Sequence, residues 1–325
     1  MSKRQIHLAV FVAGTGNHSA GWRTEGAFTS NCSLEVSKAI AQTAERGKFD
    51  LFFVSDGLTT DIGDQPSFVS RFEPTTLLSA ISLLTNRIGL GGTISTSFSE
   101  PYHVARVISS LDHLSKGRIG WNVVTTINEK AALNFSKDPI PHAQRYEIAE
   151  EFVDVVRGLW DCWDDGAIIA DRKTGEYVDP NKLRRLNHQG RFFSVRGPVN
   201  IERGPQGQPV IIHAGGSTPG QALAARIADV VFSVVSEPVS AKKGYDDFKA
   251  QVVKAGRDPD DVKVLSGVMP IVGKTKEEAK AKLDKLQSYL TDTSALHLVQ
   301  QRLGHDISAY PMDGPVPDFP ASDRG

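Results

Sequence analysis

Two kinds of apolar pattern take turns along this chain. One is a stripe at three- and four-residue spacing, the mark of a helix with one buried face. The other is a short uninterrupted run, the mark of a strand covered on both sides. The stretch around Ala105 to Thr126 shows both. Val104, Val107, Ile108, Leu111 and Leu114 share one helical face, Pro101 stands where a first turn tolerates its missing N–H, and Gly117 is placed for a left-handed cap. Next comes IGWNVV, whose one polar side chain is Asn122. Helix, tight turn and buried strand form one unit of a parallel α/β sheet.

The same alternation runs through most of the sequence. Strands are expected at Ile6–Val12, 50–56 (DLFFVSD), 88–95 (IGLGGTIS), 119–124, 209–215 (PVIIHAG), 229–235 (DVVFSVV) and within 262–273. Helices are expected from Ser33 to Gly47, from Pro74, over 218–228, over 240–255 and over 275–290, the last opened by a Thr275/Glu278 capping box. Another carries Ile148, Phe152, Val155, Val156 and Leu159 on one stripe. Long polar loops occupy 13–32, 57–72 and 127–142. Residues 161–208, with a hairpin around 192–195 and 199–201, break the repeat and read as an excursion on a barrel rim. The remaining tail after residue 290, ending PMDGPVPDFPASDRG, is Pro-rich and without periodicity.

Strands joined by helical crossovers imply a TIM-type (β/α)8 barrel, a single domain over residues 1–325. The count reaches about seven strands, so the expectation is a barrel whose last strand and helix are missing through a C-terminal truncation. Two open strand edges would follow. Copies associating through that seam would give a homo-oligomer.

Composition narrows the function without naming it. The 325 residues are 40% apolar and 23% charged, with a net charge of −1 and a pI near 6.8, which argues against nucleic acid or a membrane surface as partner. Cys32 and Cys162 are too few for a disulfide framework, so a reducing cytoplasm is expected. MSKRQIHLAVFVAG has too short an apolar run for a secretory signal, and no run of about 20 apolar residues would span a bilayer.

Barrel sites are built at the C-terminal ends of the strands. Asp56 ends the second strand, Thr93 lies near the end of the third, Asn122 is in the fourth, and Gly215–Ser217 follow the fifth. His142 and Tyr146 are four residues apart at a helix start, hence on one face. Singly, each reads as a cap or rim residue: Asp56 starts a loop and Ser217 caps a helix. Their arrival at one rim from separate parts of the chain points to a ligand. Gly14-Thr15-Gly16 lacks the third glycine and the following helix of a dinucleotide fingerprint. His18 precedes Trp22 in that loop and reads equally as a site residue and as a solvated histidine. His7 and His213 read as satisfied core residues inside strands, while His103, Arg106, Asp112 and His113 give the signature helix a polar face. No metal-ligand spacing or G-x-S-x-G nucleophile is present.

The block PYHVAR…SLDHLSKGRIGWNVVTT resembles the signature of the flavin-dependent monooxygenases of the bacterial luciferase-like superfamily, and within it the branch of nitrilotriacetate, dibenzothiophene-sulfone and long-chain alkane monooxygenases. The resemblance runs from about His7 to about Tyr310. AGGS (214–217) is similar to the flavin-binding turn of that branch and HAQRY (142–146) to its H-x-x-R-Y. The resemblance implies that Asp56, Thr93, His142, Tyr146 and Ser217 contact flavin mononucleotide. Arg145 would add donors at the phosphate, and Asn122 would meet the edge of the flavin ring. It implies reduced FMN supplied by a separate NAD(P)H:flavin reductase, O₂ as co-substrate, and a small organic molecule as substrate. The candidates for a base or hydrogen-bond donor near the flavin are His18, the catalytic residue expected here, and His142. A deazaflavin (F420) oxidoreductase on the same barrel and a flavin-binding paralogue without activity stay open as alternatives.

Overall fold

A computed structural model of the chain describes residues 5–61, 63–234, 237–315 and 317–319. Val235 of the expected 229–235 strand, and residues 316 and 320–325 of the tail, lie outside the described residues.

The chain runs β1 (Ala9–Phe11), α1 (Leu34–Arg46), β2 (Leu51–Val54), α2 (Pro66–Val69), α3 (Pro74–Leu84), β3 (Gly89–Ser95), α4 (Pro101–Ser115) and β4 (Ile119–Val124). It continues with α5 (Lys130–Asn134), α6 (His142–Trp160), the paired β5 (His188–Gln189) and β6 (Ser194–Val195), then β7 (Val210–His213), α7 (Thr218–Ile227), β8 (Val230–Ser233), α8 (Pro238–Lys254), β9 (Lys263–Ser266), α9 (Lys276–Gln287) and α10 (Asp292–Leu303). Seven strands form one parallel sheet in the order β1-β2-β3-β4-β7-β8-β9. This is the expected α/β barrel, wound in sequence order, with no pairing between β9 and β1 among the described residues. Phe11 and Phe232 stack at 6.5 Å between ring centroids near the open side.

Strand alternation sorts side chains into two layers. Phe52, Val54, Leu90, Ile119, Trp121, Val123 and Ile211 join the core between sheet and helices. Their neighbours Gly91, Thr93, Gly120, Asn122 and Ile212 point the other way, into the barrel. There the Ile212 methyl fills the space that a Cβ on Gly91 or Gly120 would need, at 2.8 and 3.2 Å. Trp121 is fully buried against Phe152 and Trp160 of α6, with its indole N–H given to the Ile94 carbonyl.

The signature helix ends where Lys116 takes the left-handed conformation, followed by Gly117 with φ 80°. The turn is thus one residue longer than a lone Gly117 cap. Thr275 caps α9 through the Glu278 N–H, but the Glu278 carboxylate reaches back to the Lys274 N–H, one residue before the position a capping box uses.

Four expectations need correction. The first strand is only Ala9–Phe11, because Leu8 is held by Asp50 and no neighbour lies on its other side among the described residues. The excursion's hairpin pairs 188–189 with 194–195, and 199–201 is not a strand. The excursion itself lies along α4 and α6, through Gln206 to Asp112, Arg203 to the Trp160 carbonyl and Phe193 to Glu151. The tail begins with a helix: Thr291 and Ser294 form a capping box for α10, and Gly304 ends it at φ 74°.

Candidate functional site

The candidate residues fall into two groups at the C-terminal side of β3, β4 and β7. In the first, Asn122 and Thr93 sit side by side through the β3–β4 register. The Asn122 amide N–H₂ donates to Thr93 Oγ1 at 2.8 Å, and the Thr93 hydroxyl donates to the Val54 carbonyl at 3.2 Å. Both side chains are at least 96% buried, yet Asn122 Oδ1 has no partner. A buried acceptor without a donor is costly and rare in a folded protein, so this atom calls for a ligand N–H.

The second group surrounds the turn 214–217. Ser217 caps α7, its Oγ accepting the Gly220 N–H at 3.3 Å, and the same oxygen lies 2.9 Å from the Tyr146 hydroxyl. Tyr146 in turn meets the His142 ring edge-on at 5.2 Å. Among the described residues, the backbone N–H groups of Gly216, Ser217 and Thr218 make no hydrogen bond. A Cβ on Gly216 would meet nothing within 4 Å, whereas one on Gly220 would come within 3.1 Å of the Tyr146 oxygen. Free amides at a helix start with two hydroxyls beside them form a cradle for a phosphate. The donor set therefore fits the phosphate end of a flavin mononucleotide, and the orphaned Asn122 oxygen fits its ring edge.

Other candidates are placed differently. Arg145 is 5% exposed and gives its Nη1 to the carbonyls of Thr126 and Ile127, so it holds the loop after β4. It makes no contact with Ser217 in this state. Asp56 accepts the Gly57 N–H at 2.8 Å. Burial raises its pKa, helped by Glu73 and opposed by the Gly57 N–H and Arg71. His18 accepts the Ala20 N–H on Nδ1 at 3.1 Å, a local turn that reaches none of the other candidates.

Sequence reasoning misread two histidines. His7 precedes β1 and pairs with Asp50 at 3.3 Å, rather than sitting in the core. His213 is buried, but it is not satisfied: Nδ1 lies 2.8 Å from the Val123 carbonyl while Nε2 has no partner. Its place directly before the AGGS turn was the signal available. The polar face of α4 is spent on structure, with Asp112 accepting Gln206 and His113 meeting the Glu202 carbonyl.

Helix α10 and its approach also stand at this end. The Arg23 guanidinium donates to the Tyr289 carbonyl at 2.6 Å and lies over its ring, and His297 packs against Gly63. The two long loops after β1 and β2 are thereby roofed by the segment 289–303. No helix among the described residues is long and apolar enough to cross a membrane.

Comparison with known proteins gives the family. The luciferase-like monooxygenase family pattern matches residues 10–315. N-acetyl-S-(2-succino)cysteine monooxygenase of Bacillus subtilis (strain 168) is 49% identical over 322 residues, 98% of this chain and 73% of that protein. Nitrilotriacetate monooxygenase component A of Aminobacter aminovorans is 39% identical over 98% of this chain and 73% of its own length. The crystal structure of a riboflavin lyase, with modified FMN and its substrate riboflavin, matches with a TM-score of 0.88 at 31% identity, covering 96% of this chain and 73% of that one.

Proposed function

The chain belongs to the luciferase-like monooxygenase family, and we propose that it is the oxygenase component of a two-component system that uses reduced FMN and O₂ to oxygenate a small organosulfur compound. The observation that carries the cofactor half is the pairing of free amides 216–218 and the Tyr146–Ser217 hydroxyls with the orphaned Asn122 oxygen on the neighbouring strand. A flavin held through its phosphate by the turn before α7 and through its ring edge by Asn122 would satisfy both. When bound, the reduced flavin supplies the electrons that activate O₂; one oxygen atom enters the substrate and the other leaves as water.

The chain's own residues bind, orient and exclude water. Ser217, held by the Tyr146 hydroxyl, and the turn amides would hold the phosphate. Thr93 fixes the Asn122 amide so that its oxygen faces one donor. Asp56 and His142 complete the rim, and Arg145 keeps the loop after β4 in place. His18 is the residue we assign to proton transfer: with Nδ1 accepting from Ala20, its Nε2 is left as an N–H donor on the loop after β1. The roof over that loop would limit water access.

Support for the substrate class is the 49% identity to an enzyme named for N-acetyl-S-(2-succino)cysteine, a thioether. Support for a separate NAD(P)H:flavin reductase is the relative named as one component of a monooxygenase. The test is oxygen uptake with photoreduced FMN, reduced riboflavin or a reduced deazaflavin, over a panel of thioethers, sulfones, aminopolycarboxylates and alkanes. Incorporation of one ¹⁸O atom into a thioether with reduced FMN is the expected result. Uptake no faster than free-flavin autoxidation across the panel, or turnover with the deazaflavin in the absence of O₂, would overturn the reading.

A further inference from the structure

We infer that His213 is a proton-linked positioning residue: a phosphate seated on the turn before α7 draws a proton onto its Nε2, and a flavin without phosphate does not. The inference rests on the placement of the flavin phosphate proposed above.

His213 ends β7 and is 2% exposed. It shares a face with Ile211 and lies level with Val123, so it points toward the helix layer and not into the barrel. Its Nδ1 is 2.8 Å from the Val123 carbonyl. A carbonyl only accepts, so Nδ1 carries the hydrogen and the neutral ring leaves Nε2 as a bare lone pair. That lone pair has no partner. It lies under the turn: a Cβ on Gly215 would be 2.5 Å from Nε2 and 3.2 Å from the Gly220 Cα. The ring edge is therefore pressed against the glycine at each end of the turn whose amides are free and whose hydroxyls are Ser217 and Tyr146.

A neutral imidazole serves this position badly. Its hydrogen-bonding edge is buried and unpaired, and its lone pair would face an arriving anion with the same sign of partial charge. The protonated ring reverses both defects, placing an N–H and a positive charge below the phosphate. Burial holds the ring neutral, opposed by the backbone of Val123 and of Gly220. No charged side chain contributes. The strands on either side, β4 and β8, bring no titratable group, and α7 brings only Arg226, which pairs with Glu150 and Asp154. From α6 come Tyr146, His142 and Arg145, the last engaged with backbone carbonyls. An anion on the turn is thus the first charge near His213 able to offset its burial.

Linkage fixes the sign. A ring whose pKa is raised by the ligand binds that ligand better as pH falls, with Kd changing about tenfold per pH unit between the free and bound pKa values. Calorimetric titration of the full chain with oxidised FMN and with riboflavin, at one pH near neutral in two buffers of different ionisation enthalpy, reads the protons taken up. The expected result is uptake approaching about one proton per FMN, none per riboflavin, and none per FMN in His213→Gln. Absence of uptake in the wild-type chain with FMN tightly bound overturns the inference and needs no variant to fold. Uptake that persists in His213→Gln overturns it too, moving the proton to His142 or the phosphate. Equal affinities for FMN and riboflavin would instead remove the phosphate from the turn, and the placement itself would fail.

Discussion

The Tyr146–Ser217 pair permits a prediction finer than a loss of binding, because two hydroxyls 2.9 Å apart share only two hydrogens. Ser217 Oγ already accepts the Gly220 N–H. The phenol is the stronger acid, so Tyr146 donates to Ser217 and fills its second lone pair. The serine hydrogen is then the one left for a phosphate. Ser217→Ala should remove a bond to a charged group, worth about 1.5–3 kcal/mol, or about 10- to 150-fold in FMN affinity. Tyr146→Phe should remove only a bond between neutral groups, about 0.5–1.5 kcal/mol, or about 2- to 12-fold. Tyr146 acts through Ser217, so the double variant should resemble Ser217→Ala alone and the cycle should show strong coupling. Riboflavin should be nearly indifferent to all three. Flavin fluorescence titration measures this, alongside unfolding temperature, since Ser217→Ala also loses an N-cap worth about 1 kcal/mol. Additive losses, or a larger loss for Tyr146→Phe, would refute the relay and put Tyr146 on the ligand directly.

Four further outcomes follow from particular residues. Glu151 takes the Phe192 and Phe193 N–H groups at 3.0 and 2.9 Å and His188 at 3.0 Å; burial alone would raise its pKa, but these donors hold it below the ordinary carboxylate value. In Glu151→Gln one of the two amides faces an N–H₂, costing about 1–3 kcal/mol locally, so hydrogen exchange over 188–195 should quicken; unchanged protection would show that the hairpin holds itself. In the parent chain the same protection should persist at neutral pH and fade in acid, as pH falls through Glu151's lowered pKa. Asp56 has the opposite sign: its raised pKa means that ionisation above the unfolded value of 3.8 costs stability. Asp56→Asn should therefore raise the unfolding temperature at pH 7 while weakening flavin binding or turnover; a lower unfolding temperature with activity intact would make Asp56 structural. Finally, Ile6, Leu8, Val268 and Val272, beside the outer edges of β1 and β9 that have no partner strand among the described residues, are 43–85% exposed. The 325-residue chain should bind a hydrophobic dye and associate; a monomer without dye binding, by light scattering and fluorescence, would show the seam to be covered.

Much of the fold was legible because parallel strands must be apolar on both faces. IGWNVV coincides with β4 to the residue, and Ser33, Ser217 and Thr275 cap the helices they were expected to open. The first strand is shorter than its apolar run, since a strand is defined by partners and Ile6–Leu8 has none to one side. Helix α10 was missed although Thr291 and Gly304 mark its ends, because its box uses Ser294 where the motif expects an acidic side chain. Within the site, period-two alternation sufficed to bring Thr93 and Asn122 together. It could not reveal the unpaired Nε2 of His213, which depends on the register of β7 against β4 and on a turn folding back over the ring. The bonds of Arg145 were illegible for a related reason: its neighbours in space, Thr126 and Ile127, lie across a loop whose path the sequence does not encode locally.

The two ends of the barrel resolve their polar groups differently, and that contrast supports the proposed site independently of any motif. At the N-terminal end, Glu45 accepts the N–H groups of Asn86, Arg87 and Ile88. Arg118 donates to the carbonyls of Ser82, Thr85, Ile88 and Ser115. Asp112 takes two bonds from Gln206, whose side chain also reaches the Ile119 carbonyl. Glu45 and Arg118 there are each matched by several backbone groups, which fixes the turns that start the strands, and Gln208 Oε1 is the buried atom left without a partner. At the C-terminal end, beside the charged Asp56 and Arg145, stand hydroxyls, an amide, an imidazole and free backbone N–H groups, and three buried atoms, Asn122 Oδ1, His213 Nε2 and Arg145 Nε, have no partner. Buried polar atoms are almost always paired in folded proteins, so an end that leaves two unpaired on adjacent strands is incomplete without something bound. The unpaired atoms differ in kind: the Asn122 oxygen asks for an N–H, and the His213 nitrogen asks for a proton. A ligand with an imide-like edge and a phosphate would meet both demands, the second by drawing a proton from solvent onto the ring.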